Sequence, residues 1–443
     1  MHLWPTPHCA RSFDRASCGV MALLGNNNQL ARMLTLNRIA GSTVAALAAA
    51  LLPAPALAEK PAKAAHQLQF KPILDARLRG ESVDQGPLHA EAVTLRIRAG
   101  GEARLGQISF LAEVEGTISA VEDFNGFPFA LVDDQWRPQH AVIADPRNFE
   151  LNRLQLQYQI KDVAVTAGRQ RINLDDQRWV GSVGWRQNEQ TFDALAAEAK
   201  VGAVRANLAY AISQRSIFGE DAGSRAAIRG HFLFAGAGST FGPIGGKLFA
   251  YLLDYEENFA LPNSSQTYGG ILSGSFPLGR DINLSLRGSY AHQSDYGDNP
   301  FDYSTDYWSF EGSSQIAGFD IAAGWEKLGS DNDRALQTPM ATLHKFNGWA
   351  DLFLTTPAAG LEDAYVMVRK TFDRVKALPG LNAQIAFHQF DSADGDMEYG
   401  TEWDASAGFK FGRLGLLVKY ANYDAKDFGF DTRKLWLQAE WAL

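Results

Sequence analysis

The chain has little of several features on which other classes of protein depend. It contains two cysteines, Cys9 and Cys18, and both lie near its start. A mature chain that begins after them has no thiols, which excludes disulfides and cysteine-based metal sites. The net charge of −9 argues against a nucleic-acid partner, because contacts with phosphate backbones require a basic surface.

Long apolar runs are also scarce, and the one helical run is typical of a targeting segment. Residues 39–52 are apolar, Arg32 and Arg38 precede them, and Ala56-Leu57-Ala58 follows. This order predicts a secretory signal that is cleaved after Ala58, with Met33 as a plausible true start. The sequence therefore predicts a leader and signal peptide at 1–58 and a short periplasmic lead at 59–69. Later segments lack the roughly 18 apolar residues that a membrane-spanning helix needs.

Apolar and polar residues alternate instead along most of the chain. In residues 74–79, leucine and alanine alternate with aspartate and arginine, and this period of two recurs up to the last segment, 432–443. Successive side chains of a strand point to opposite faces, so each segment predicts a strand with one apolar and one polar face. Residues 70–443 therefore predict an all-β fold, a transmembrane antiparallel β-barrel of about 18 strands in the bacterial outer membrane.

The strand count follows from the connections, which alternate between eight short turns and nine longer polar loops. A short turn is predicted near residues 100–102, for example, and a longer loop at 82–89. Residues 346–355 also have a strand-like composition. Counting them would give an odd number of strands, so they are assigned to a long outer loop.

Membrane energetics decide which face meets lipid. An arginine or lysine near the lipid midplane costs about 2–4 kcal/mol, so the rows that contain arginine must face a wet interior. Leu154 and Leu156 then face lipid. Tyrosines near strand ends, among them Tyr251, Tyr255, Tyr307 and Tyr423, predict girdles at the two membrane interfaces.

The densest group of unusual residues lies at 168–193. Arg169 and Arg171 are two residues apart, which predicts a shared face beside the polar row that includes Arg153. Guanidinium groups match carboxylates bidentately, so the stretch indicates an arginine-lined constriction with a loop folded inward. The alternative is a loop that is merely held by Arg–Asp pairs. The candidate pore-lining and substrate-binding residues are all arginines: Arg77, Arg79, Arg96, Arg98, Arg153, Arg169, Arg171, Arg178 and Arg186.

Several blocks resemble the alginate-export family of outer-membrane channels. They are GRQRINLDDQRWVGSVGWRQNEQTFDAL from residue 168, KFNGWADLFLTTPAAGLEDAYV from residue 345, EYGTEWDASAGFKFG from residue 398 and the terminal TRKLWLQAEWAL. The resemblance implies an eighteen-stranded channel whose basic constriction passes an anionic uronate polymer. It places the family's basic interior positions at Arg153, Arg169 and Arg171. The last block also resembles the signal that outer-membrane proteins present to the barrel-assembly machinery.

Other functions are less well supported. A general diffusion porin is the alternative function. Acidic residues such as Glu113 and Glu115 share the interior row with the arginines, and charges of both signs would produce a transverse electric field without a strong preference for anions. No enzymatic activity is expected; a remote alternative is a barrel-wall hydrolase that uses His231 or His388 beside a serine. No cofactor is expected either. The acidic loops at 295–306 and 391–396 offer carboxylates for Ca²⁺, although their spacing is not that of an EF-hand.

Overall fold

The computed structural model describes residues 67–279 and 282–443, so the predicted signal peptide lies outside the described residues. Eighteen strands form a single sheet in which neighbours along the chain pair antiparallel. The first and last strands also pair, with Arg77 opposite Glu440 and Glu81 opposite Trp436. The sheet therefore closes into a barrel, and the predicted fold class of about 18 antiparallel strands is confirmed.

Twenty strands are numbered here in chain order, of which β14 and β15 form a separate small hairpin and the others build the barrel. Their bounds are β1 Gln69–Gln85, β2 Leu88–Leu105, β3 Ile108–Asp123, β4 Asn148–Ile160, β5 Val163–Gln170, β6 Thr191–Val201, β7 Val204–Arg215, β8 Ala227–Phe241, β9 Ile244–Tyr255, β10 Ser265–Pro277, β11 Asn283–Asp295, β12 Ser304–Ile316, β13 Phe319–Leu328, β14 Ser330–Asp331, β15 Arg334–Ala335, β16 Leu361–Thr371, β17 Asn382–Asp391, β18 Glu398–Phe411, β19 Leu414–Ala425 and β20 Thr432–Ala442. Short 3₁₀ segments lie at Glu220–Arg225, Leu261–Asn263 and Leu343–Lys345. Among the described residues, no helix has the length and apolar character that crossing a membrane requires.

The connections alternate in length as predicted. One end of the barrel, called the turn side here, has mostly two-residue turns; the other end, the loop side, has long connections at 124–147, 171–190 and 329–360. Residues 346–355 are loop rather than strand, which confirms their assignment.

Two predicted connections are wrong in position. Residues 100–102 continue β2, which turns at 106–107, and the region 82–89 holds only the tight turn at 86–87. The sequence suggested a turn because of two adjacent glycines. Gly100 instead allows a close approach of β3, since a Cβ there would lie 2.1 Å from the carbonyl oxygen of Ala112. Glycine inside a strand often marks such an approach.

The two faces of the wall are those predicted from membrane energetics. On the outward face, Leu154 and Leu156 are 40% and 53% exposed. On the inward face, the large side chains of Arg79 and Arg96 are buried. An apolar outward row and a charged inward row are the pattern of a transmembrane barrel.

The predicted interfacial girdles are wrong for four tyrosines. Tyr251, Tyr255, Tyr307 and Tyr423 are all buried and belong to one apolar cluster together with residues of the long loops. Tyrosine buries readily when its hydroxyl finds a partner, and here the loops supply an apolar surface inside the barrel. The lumen is therefore partly filled by protein.

Candidate functional site

Two long loops fold from the loop side into the lumen; residues 171–190 are called the first lumen loop and residues 329–360 the second. They meet at Val180 and Met340, which form an isolated β-bridge and are buried. Next to the bridge, Trp179 packs edge-on against Tyr307 of β12 and tilted against Phe249 of β9. The predicted inward-folded loop is confirmed, and a second loop accompanies it.

Arginines of β1 hold the first lumen loop by its backbone. Arg77 Nη1 donates to the carbonyl oxygens of Gly184 and Trp185 at 3.0 and 3.1 Å. Arg79 Nη2 donates to the Trp185 carbonyl at 2.6 Å, and its guanidinium carbon lies 4.1 Å from the centre of the Trp185 ring. Both side chains face inward, as predicted, and in this conformation they anchor the loop.

Arginines of β2 form the next row. Arg98 is paired with Glu115 and lies 2.5 Å from Glu189 of the first lumen loop. Arg96 is paired with Asp75 and stands directly opposite Arg77 in the sheet. The side chain of Arg96 is 1% exposed, yet its Nε and Nη1 meet no hydrogen-bond acceptor among the described residues.

Arg153 and Arg171 share one carboxylate. Arg153 donates to both oxygens of Glu113 at 2.8 and 2.7 Å, a bidentate pair. Arg171 donates to Glu113 at 3.4 Å and to Glu189 at 2.5 Å. The resemblance grouped these two arginines, and the structure brings them together on the inward face.

Arg169, by contrast, does not lie in the lumen, and its assignment as pore-lining is wrong. It is directly opposite Leu154 on β4 and Asp193 on β6, and directly paired residues of a sheet share a face. Leu154 is exposed on the outward face, and Arg169 is accordingly paired with Asp193 at 2.8 Å there. The expected shared face with Arg171 fails because β5 ends at Gln170, so that Arg171 already belongs to the loop.

Arg178 and Arg186 lie on the first lumen loop and hold it to the wall and to the second loop. Arg178 donates to Glu326 of β13 at 2.8 and 3.1 Å and to Asn347 at 3.2 Å. Arg186 donates to Asp351 of the second lumen loop at 2.7 Å. Both arginine side chains are buried, so burial keeps these pairs away from competing water.

A buried group around His344 was not anticipated from the sequence. His344 Nδ1 lies 2.6 Å from Asp351 Oδ1, and its Nε2 lies 2.6 Å from Lys419 Nζ. Since an ammonium can only donate, Nε2 accepts and the imidazole is neutral, with its proton on Nδ1. Burial, together with the positive charges of Lys419 and Arg186, holds the pKa of His344 well below its ordinary value.

Three tryptophans enclose the same lysine. Lys419 Nζ lies 3.6, 4.2 and 5.4 Å from the ring centres of Trp349, Trp185 and Trp436. An ammonium over indole faces is an attractive arrangement. The two lumen loops contribute Trp349 and Trp185, so this contact fastens both loops to β19. No local sequence pattern predicts this contact, because Lys419 and the three tryptophans come from four separate parts of the chain.

A cavity in the barrel lies on the turn side of the first lumen loop. This cavity, of about 750 Å³, is lined by strands between β4 and β11 and by residues 173–176 of the first lumen loop. It contains side chains of both signs, among them Lys247, Arg287 and Glu198. The site thus combines an arginine-rich wall, two docked loops and a charged vestibule. The role of the other eight candidate arginines in passing solutes stays a prediction, as does Ca²⁺ binding by the acidic outer loops.

A closed antiparallel barrel with an apolar outward row and a charged lumen defines an outer-membrane channel. The family model described as alginate export matches residues 75–318. The chain therefore belongs to the alginate export family of bacterial outer-membrane proteins, and its family and fold are those of transport porins. The long loops then lie on the extracellular side and the short turns on the periplasmic side.

Solved structures with the same fold are porins of low sequence identity. OccAB4 of Acinetobacter baumannii is 12% identical with a TM-score of 0.68, and the match covers 86% of this chain and 100% of that one. OpdK of Pseudomonas aeruginosa is 13% identical with a TM-score of 0.64, covering 84% and 98%. A structure of OpdK with vanillate gives 14% and 0.64, with the same coverage. No curated protein sequence matches the chain significantly.

Proposed function

We propose that the barrel is a passive channel for anionic solutes, with uronate oligosaccharides as the substrate class, and that solutes pass the inward arginines of β1, β2 and β4. Membership of the alginate export family supports a uronate substrate. The similarly folded OpdK has a structure with vanillate, a small aromatic carboxylate, which is compatible with a carboxylate ligand for a barrel of this fold.

The observation that carries the proposal is the guanidinium of Arg96. It is buried against the lumen with Nε and Nη1 unpaired among the described residues, and Nε of the adjacent Arg77 is in the same state. A buried donor without an acceptor costs about 1–3 kcal/mol. Two neighbouring guanidinium groups thus have unused donors that are buried in this conformation. A carboxylate would reach them only when the first lumen loop moves away from Arg77, and it would then accept bidentate hydrogen bonds.

A general diffusion porin is the second candidate. It is favoured by the pairing of Arg98, Arg153 and Arg171 with glutamates, which compensates much of the positive charge locally. Such a channel would have a mixed transverse field and little preference between anions and cations.

Reversal potentials in a salt gradient distinguish the two functions. We expect Arg96→Gln to shift the reversal potential toward cation selectivity, because it removes a positive charge from the lumen wall. Arg169→Gln is the matched control, since it removes the same charge from the outward face and should leave the reversal potential unchanged. Arg96→Lys should keep most of the anion preference. Equal reversal potentials for Arg96→Gln and the wild type would contradict the anion-selective channel and favour the general diffusion porin.

A further inference from the structure

The turn-side cavity has a pair of cations on the wall about half-way around the barrel from β1. Lys247 of β9 and Arg287 of β11 both line it. Neither residue belongs to the nine candidate arginines, and neither takes part in holding Gly184 or Trp185. Lys247 and Arg287 are therefore a second group of cations, separate from the arginines of β1 and β2.

Both cations are occupied by adjacent carboxylates of the first lumen loop. Lys247 Nζ donates to the two oxygens of Asp175 at 2.8 and 2.9 Å. Arg287 Nη1 lies 2.7 Å from Asp176 Oδ2. All four side chains are between 19% and 29% exposed, so water and solutes in the cavity reach them. Asp175 has a φ of 53°, a left-handed conformation that is uncommon outside glycine.

The wall leaves room for Lys247 in this position. Its side chain lies over Gly236 and Gly238 of β8, where a Cβ on Gly236 would approach Lys247 Cε to 2.6 Å and one on Gly238 would approach Lys247 Cβ to 3.0 Å. Side chains at these two positions would crowd Lys247, so the two glycines leave room for its side chain to lie along β8.

We infer that Lys247 and Arg287 form a binding site for a ligand with two neighbouring carboxylates, of the uronate oligosaccharide type, and that Asp175 and Asp176 occupy this site when no ligand is bound. The ligand class rests on the proposed function; the two ion pairs do not. Two consecutive aspartates present two negative charges to two cations, as consecutive units of a polyuronate do. Ligand and loop then compete for the same cations, so ligand binding favours the undocked loop.

Block of single-channel current by a galacturonate trimer tests the inference. Asp175→Asn with Asp176→Asn removes the competitor and keeps both cations, so the half-blocking concentration should fall about tenfold, as expected when a tethered competitor at millimolar effective concentration is lost. Glu198→Gln is the matched control, because Glu198 lines the same cavity and forms no ion pair with either cation. It should change the half-blocking concentration less than threefold. A neutral galactose trimer should not block any variant.

A charge-balanced variant separates the binding site from simple release of the loop. Adding Lys247→Gln and Arg287→Gln to the two asparagine substitutions restores the net charge of the wild type and removes both cations. The tight block should be lost; if it persists, loop release alone explains it and the inference is wrong. Heat-modifiable gel mobility shows whether each barrel has folded. If the fourfold variant does not fold, Arg287→Gln with Asp176→Asn is the smaller charge-balanced replacement.

The outcomes also separate this inference from the proposed function. If the wild type is blocked by the trimer but the asparagine variant is blocked no more tightly, the two-cation site is refuted and anion passage stands. If neither is blocked, both the site and the uronate substrate class are refuted. Block by the neutral trimer at the same concentration would refute a site based on carboxylates.

Discussion

Replacing Arg178 by methionine should release the two lumen loops from the barrel wall. Arg178 and Glu326 are 3% and 7% exposed at their side chains, and the arginine also donates to Thr338 and Asn347. The substitution leaves Glu326 buried without its cation. Because Arg178 is on a loop and Glu326 is on β13, this penalty applies to the docked loop and is relieved when the loop undocks.

The expected change in the undocked population of the loops follows from the burial of the Arg178–Glu326 pair. Removing one partner of a buried ion pair costs about 3–5 kcal/mol, and each 1.36 kcal/mol changes an equilibrium tenfold. Undocking lets water reach Glu326, which caps the penalty in the docked state. The undocked population should therefore rise by about 10²- to 10³-fold.

Cysteine labelling measures this population. Both native cysteines precede the predicted cleavage site, so the mature protein offers a clean background. Val180 is 1% exposed at the contact between the two loops, and Val180→Cys should react with a water-soluble maleimide only when the loops undock. In the Arg178→Met background its labelling rate should rise by the factor given above.

Two control variants test whether the buried Arg178–Glu326 pair holds the loops. Arg178→Met with Glu326→Met removes both charges and should raise the rate less than tenfold, because an apolar pair leaves no unpaired charge. Lys426→Met breaks an exposed pair with Glu398 and should leave the rate unchanged. A labelling rate in Arg178→Met within threefold of the parent would show that the buried pair does not hold the loops.

Two further predictions use the same cysteine-labelling assay. Arg153→Cys should be labelled by the water-soluble reagent and Leu156→Cys in a membrane should resist it; the reverse would invert the two faces of the wall. The depressed pKa of His344, caused by its burial, means that its neutral form favours the docked loop, a contribution that is present above about pH 6.5 and lost as the pH falls below it. Labelling of Val180→Cys, corrected with the exposed reference Val132→Cys, should therefore accelerate from pH 7 to pH 5, and His344→Gln should abolish the acceleration; a flat corrected profile would contradict the assignment.

The strand pattern was predictable because membrane energetics leave one solution. A period of two fixes which residues share a face, and the cost of arginine in lipid fixes which face is outward. Arg79, Arg96 and Leu156 accordingly lie where the sequence places them. The same rule fails at the end of a strand, where alternation stops. Arg169 and Arg171 look equivalent by spacing, yet the end of β5 at Gln170 separates them.

The contacts inside the lumen were beyond sequence reasoning for a different reason. Arg186 and Asp351 are 165 positions apart, and no local pattern connects two loops at that distance. The sequence predicts a membrane interface for Tyr251 because tyrosine suits that environment, and an apolar lumen loop provides a similar environment inside the barrel. Two adjacent glycines predict a turn at Gly100, whereas the structure uses Gly100 for the close approach of β3.

The pairing of β1 with β20 also has a kinetic consequence. This contact joins the two barrel strands that are farthest apart in sequence, so we expect it to form late, after the entropy of closing the largest loop has been overcome. The first lumen loop spans this seam, since Arg77 of β1 contacts Gly184 while Trp436 of β20 packs against Trp185. We therefore expect the loop to dock completely only after β1 and β20 have paired, and the docked loop should then slow the separation of these two strands.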